Sequence, residues 1–177
     1  MTALVVYESM YGNTAAVAAA IADGLAASGV EVRARPVTEV DATEVATAGL
    51  IVIGGPTHAH GMSRATTRET AASDKKNGYP RPTIEPGLRE WIEELPYGDG
   101  RPAVAFDTRI DKPLFLTGSA ARGIARRLER RGFHLVAKPE RFLVSTQNRL
   151  LDGEIDHATH WGSTVASALT ARARRSA

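Results

Sequence analysis

Residues 4–25 read LVVYESMYGNTAAVAAAIADGL, an apolar run that breaks into a polar turn and passes at once into an alanine-rich helical pattern. Leu4 to Tyr7 has the composition of a buried strand, and Val17, Ile21 and Leu25 recur at helical spacing up to a stop signal at Ser28-Gly29. Between them, Ser9-Met10-Tyr11-Gly12-Asn13-Thr14 gathers hydroxyls, a glycine and an asparagine into one strand-to-helix turn. Such a turn presents backbone N–H groups that have no intrahelical partner, and the helix dipole adds partial positive charge there. Gly12 removes the Cβ that would block a close approach, and Asn13 tolerates unusual backbone angles. Two readings fit equally: a phosphate cradle that needs no lysine or arginine, or an ordinary capped helix start with Asn13 or Thr14 as N-cap. Neither a GK[ST] P-loop ending nor a G-x-G-x-x-G fingerprint is present.

The pattern of strand followed by helix repeats outward from this turn. VEVRARPV (30–37) alternates as a strand, with Val30, Val32 and Ala34 on one face, and TEVDATEVATAG (38–49) suits a short helix. LIVIGG (50–55) is a fully apolar strand ending in paired glycines. A long polar stretch from Pro56 to Glu85 follows and reads as a loop, a candidate lid or oligomer contact carrying Arg64, Arg68 and Tyr79. EPGLREWIEEL (85–95) restores a helix, with Leu88, Trp91, Ile92 and Leu95 as its buried stripe and Pro86 in its first turn. RPAVAFDTR (101–109) is a strand, and Gly118 to Arg131 is a helix burying Ala121, Ile124 and Leu128. FHLVAKPERFLV (133–144) is the last strand region, interrupted near Pro139, and a helix from DGEID onward closes the chain. Five alternations of strand and helix predict one α/β domain over residues 1–177: a three-layer, doubly wound, five-stranded parallel sheet of order 2-1-3-4-5. In that order the loops after the first and third strands, SMYGNT and GGPTHAHGMSR, lie side by side at the switch point.

Composition removes several classes of function. The chain has no cysteine, which excludes disulfides, thiol nucleophiles and cysteine metal sites and fits a reducing cytoplasm. MTALVVYESM lacks the basic start and long apolar core of a secretory signal, and no apolar run reaches membrane-spanning length. A cytoplasmic protein with no membrane partner is the expectation. Arg122, Arg126 and Arg130 share one helical face, but no aromatics interleave with them as a single-strand binder needs. They read as a solvated surface, and no nucleic-acid partner is expected. His58-x-His60 and His157-x-x-His160 lack a third ligand at a recognisable spacing, so no metal is expected. Ser119 does not sit in a G-x-S-x-G elbow and reads as a helix-start residue.

VVYESMYGNTAAVAAAIADGL resembles the phosphate-binding segment of flavodoxins and of flavodoxin-like NAD(P)H:quinone reductases, whose first strand ends in a Ser/Thr-rich turn closing in Gly-Asn-Thr. VIGGPTHAHGMS (52–63) is similar to the second flavin loop of the quinone-reductase branch, and FDTR (106–109) loosely to the third. The resemblance implies a flavodoxin-like fold and FMN as cofactor. The phosphate would sit on Ser9, Met10, Tyr11, Gly12, Asn13 and Thr14. Pro56, Thr57, His58, Ala59, His60 and Gly61 would run along the ring edge, and Asp107 and Thr108 would close the other side. His58 and His60 are candidate catalytic proton donors, because imidazole titrates near neutrality.

The departures from the pattern shape the functional expectation. His58, His60 and Phe106 stand where electron carriers place stacking aromatics, and Phe106 reads as core. The acidic surplus that steers such carriers to basic partners is absent, since 22 basic residues face 20 acidic ones. Arg109 and Lys112, in a loop without the glycine-rich turn of the reductase branch, are candidates for an anionic substrate or loop charges. The leading expectation is FMN-dependent electron transfer by a small oxidoreductase, with NAD(P)H as donor and a quinone-like acceptor. The alternatives are a non-enzymatic electron carrier for a protein partner and a non-redox module whose flavin site has decayed.

Overall fold

In the computed structural model, which describes residues 1–58, 61–75, 77–80 and 82–176, the sheet forms around the stretch that opens the chain. β1 (Thr2–Tyr7) pairs in parallel with β2 (Glu31–Pro36) on one side and with β3 (Leu50–His58) on the other. β3 pairs with β5 (Pro102–Ile110), and β5 carries two short parallel partners end to end, β6 (His134–Leu135) and β7 (Glu140–Val144). These two fill the fifth place together, split beside Pro139 as the sequence predicts. The parallel order is therefore the expected 2-1-3-4-5, with one addition: β4 (Gly61–Met62) folds back antiparallel on the end of β3.

Alternation along the central strands sends their side chains into two cores. Leu4 and Val6, Ile51 and Ile53, and Ala103 and Ala105 face α4 (Leu88–Glu94) and α6 (Ala120–Arg130). Ala3 and Val5, Leu50 and Val52, and Val104 and Phe106 face α1 (Asn13–Ala27) and α7 (Glu154–Ser176). Continuous apolar runs are what a strand covered on both faces requires. α1 and α7 pack closely because Gly24 and Gly162 lack side chains: a Cβ at Gly24 would meet the Thr159 carbonyl, and one at Gly162 would meet that of Ile21. The Ser163 hydroxyl donates across this contact to the Gly24 carbonyl at 3.1 Å.

Two expectations need correction. The polar stretch 56–85 is not a loop throughout, because it carries β4 and α3 (Ala65–Ser73). Its low hydrophobicity hid the helix, since only Arg68 and Ala71 of α3 are buried. Pro86 also lies before α4 rather than in its first turn, with Gly87 as the capping residue. α6 starts at Ala120, where the Ser119 hydroxyl accepts from Arg122 N–H, so Ser119 is a helix cap as read. Just before it, with only Gly118 and Ser119 between, lies a further short helix that the sequence does not signal, α5 (Leu114–Thr117).

Buried carboxylates give a pH prediction. Glu8 is 1 % exposed, and burial pushes its carboxyl above the usual range against the Leu88 N–H bonded to Oε2 at 2.8 Å. An acid raised in the folded state binds more protons there than when unfolded, so its contribution to stability is complete at low pH and is lost as the pH rises through its folded pKa. Glu8→Gln therefore flattens the decline in stability between acidic and neutral pH, measured by urea denaturation across that range. Parallel curves for wild type and variant would contradict this.

Candidate functional site

The turn after β1 and the ends of β3 and β5 converge at one edge of the sheet, where a cleft of about 90 Å³ opens. Met10, Tyr11, Asn13 and Thr14 line it from the turn, Pro56, Thr57 and His58 from β3, and Thr108, Arg109 and Ile110 from β5. Val144 and Asn148 close it from the far side.

The turn is held in a specific shape. Gly12 has φ +87°, a left-handed conformation that residues with a Cβ rarely adopt. The Ser9 hydroxyl accepts from Gly12 N–H at 3.1 Å and Ala15 N–H at 3.4 Å, tying the turn to the start of α1. Thr14 and Thr108, both buried, meet through their hydroxyls at 2.8 Å. From outside, the segment after α3 clamps the turn: Thr83 N–H donates to the Ser9 carbonyl at 2.9 Å, and the Asn77 amide to the Met10 carbonyl at 2.7 Å. The Tyr79 ring lies where it would stand 3.1 Å from a Cβ at Gly12. This gives part of the 56–85 stretch a definite task, which is to fix the turn.

What the turn leaves open is a set of donors. Among the described residues, no hydrogen-bond acceptor meets the backbone N–H groups of Tyr11, Asn13 and Thr14. Arg109 is only 7 % exposed, and its Nη1 donates to the Thr117 hydroxyl at 2.7 Å and the Lys112 carbonyl at 3.2 Å. Its Nε has no partner among the described residues. A buried guanidinium with an unused donor and several unpaired amides, all on residues lining one cleft, is the arrangement an anion completes.

The other expected residues divide. Thr57 and His58 line the cleft, and burial lowers the His58 pKa, favouring the neutral imidazole. Asp107 does not line it. Its Oδ2 accepts from Ser119 Oγ at 2.7 Å, Ala121 N–H at 2.8 Å and Thr57 Oγ1 at 3.1 Å, which ties β5 and β3 to the start of α6. Burial raises the Asp107 carboxyl pKa against these bonds and the field of Arg109. Gly61 lies beyond the cleft, paired with His58 across the β3–β4 hairpin, and Ala59 and His60 fall outside the described residues. Sequence reasoning did not select Ile110, Val144 or Asn148 and left Arg109 undecided. Asn148, at φ +56° in the turn after β7, had a signal in its residue type, because asparagine favours such angles.

Known proteins share this fold. The flavodoxin family model matches residues 5–88, which span the turn, β3 and the clamp. The fold superposes on a flavodoxin from the domain Archaea with a TM-score of 0.68 at 22% identity, covering 96% of this chain and 99% of that one. Oxidised flavodoxin 1 from Bacillus cereus gives 0.66 at 15% identity, over 94% and 98% of the two chains. The flavodiiron core of Flv1 from Synechocystis sp. PCC6803 gives 0.65 at 20% identity, with this chain covering 36% of that one. A search of curated proteins by sequence finds no match. The chain is flavodoxin-like in fold and in the segment that builds the cleft. The unpaired amides, the glycine turn and the Arg109 donor would suit the phosphate of FMN, the cofactor that the sequence resemblance implies.

Proposed function

We propose that the protein holds FMN with its phosphate in this cleft and works as a small oxidoreductase, with a reduced nicotinamide dinucleotide as donor and a quinone-like or other small molecule as acceptor. Bound FMN would supply the capacity to accept and release electrons; the chain's part is to bind, orient and shield it. The observation that carries the reading is the convergence of the unpaired amides of the β1–α1 turn and the unused Nε of Arg109 on one cleft. The backbone N–H groups of Tyr11, Asn13 and Thr14 would bind the phosphate, with Ser9 keeping the turn closed through Gly12 and the Thr14–Thr108 hydroxyl pair at its floor. Pro56 to Gly61 would border the ring, and Asp107 would act indirectly by fixing Thr57. The absence of an acidic surplus favours a small-molecule acceptor over a steered protein partner. A cytoplasmic location is part of the same proposal.

Steady oxidation of NAD(P)H with a soluble quinone, by FMN-loaded protein and no added reductase, is the expected result. Turnover only through an added reductase would instead identify an electron carrier. His58, at the cleft edge, and His60 are the proposed proton donors. Replacing both by asparagine lowers kcat by about 100-fold on the usual scale of general acid catalysis, and unchanged turnover would remove the role.

A further inference from the structure

Against the β3–β4 hairpin lies a second, larger groove of about 680 Å³, between the hairpin, α4, α5 and α6. It lies within the size range of small-ligand sites, about 300–1,000 Å³. Four guanidinium side chains surround it: Arg89 from α4 and Arg122, Arg126 and Arg127 from α6. Two of them belong to the helical face that reads from sequence as solvated surface; the fold turns that face into a concave wall. Among the described residues, only Arg127 of the four has an ion-pair partner, Glu93 at 3.0 Å. Arg89 is fixed in place, donating to the Met62 carbonyl at 3.1 Å and the Ser63 carbonyl at 3.4 Å. Partial burial and the neighbouring charges of Arg127, Arg64 and Arg68 lower its pKa, with Glu90 acting in the other direction. At the rim, Phe115 leaves 81 % of its surface exposed.

Like charges gathered in a concavity repel one another, and a bound polyanion relieves that repulsion through charge-assisted, bidentate contacts. An exposed ring at the rim adds a platform on which a flat base can stack. The geometry points to a nucleotide-binding groove, in which a pyrophosphate-bearing nucleotide sets its phosphates against Arg89, Arg122, Arg126 and Arg127 and its base on Phe115. The hairpin ties this groove to the cofactor cleft: Thr57 and His58 line the cleft, and their paired residues Met62 and Gly61 line the groove. The identification of that nucleotide with the reduced nicotinamide donor rests on the oxidoreductase reading; the groove itself does not.

Calorimetric titration of the FMN-free protein with ADP, inorganic pyrophosphate, adenosine and NADPH tests the assignment. ADP and NADPH bind, adenosine alone does not, and pyrophosphate binds more weakly than ADP. Arg122→Ala combined with Arg126→Ala, both exposed positions, weakens ADP and NADPH by at least tenfold and leaves FMN affinity unchanged. Phe115→Ala weakens ADP but not pyrophosphate. Absence of ADP binding, or binding unchanged in the double variant, overturns the groove. So does pyrophosphate binding as tight as ADP together with an inert Phe115→Ala, which would show an anion site without nucleotide recognition. The two readings fail separately: protein that binds FMN but not ADP loses only the groove, and protein that binds ADP as described but not FMN loses only the cofactor reading.

Discussion

Phe106→Ala lowers the unfolding free energy by about 3–5 kcal/mol, the usual range for removing a buried phenylalanine. Phe106 is fully buried at the centre of an aromatic cluster, edge-on to Phe142 at 6.1 Å and to Trp161 at 6.4 Å between ring centroids. Its ring also occupies the space above Gly54, where any Cβ would collide with it. β5, β3, β7 and α7 all meet on this one side chain, so the site cannot collapse to fill the void. Thermal melting should shift down by roughly 6–20 °C, taking about 2–4 °C per kcal/mol for a chain of this size. A shift of 1 °C or less would show that the ring is not the packing centre described.

Gly12→Val weakens FMN binding by about 100-fold while the chain stays folded. At φ +87° a β-branched residue is strained by about 1–3 kcal/mol. Its Cβ would also stand 3.1 Å from the Tyr79 ring, which Asn77 and Thr83 hold against the turn. The backbone must shift, and the amides of Tyr11, Asn13 and Thr14 move with it. Gly29→Val is the matched control, because Gly29 has φ +81° with open space around it and lies far along the chain at the end of α1. The control carries the same backbone strain and keeps FMN affinity. Flavin fluorescence titration of both variants reads the difference, and equal affinities would separate the turn from the cofactor.

The fold was legible because its central strands are covered on both faces and so are written as unbroken apolar runs, LVVY and LIVIGG, each followed by glycine-containing turns. The shape of the β1–α1 turn was legible for a different reason: hydroxyls, glycine and asparagine are the residue types a positive-φ, donor-rich turn demands. α3 was hidden because it buries so little apolar surface that helical periodicity never appears. Arg109 could not be placed from sequence, since a basic residue at a strand end reads as solvated until the fold buries it beneath Thr117 and Lys112. Asp107 was misplaced toward the ligand because its three hydrogen bonds come from Thr57, Ser119 and Ala121, and only the tertiary structure brings those groups to it. The arginine groove shows the same limit. Periodicity finds Arg122 and Arg126 on one face, but only the packing of α4 against α6 adds Arg89 and makes the face concave.

The most direct test of the cofactor assignment is to equilibrate the purified protein with excess FMN, remove unbound flavin by gel filtration and record the visible absorption spectrum. Flavin bands stay with the protein at close to one FMN per chain and are lost in Gly12→Val. They weaken in Arg109→Gln, which removes the buried cation from the cleft. Protein that emerges colourless, or that keeps its flavin undiminished in both variants, would contradict a phosphate cradle formed by the β1–α1 turn.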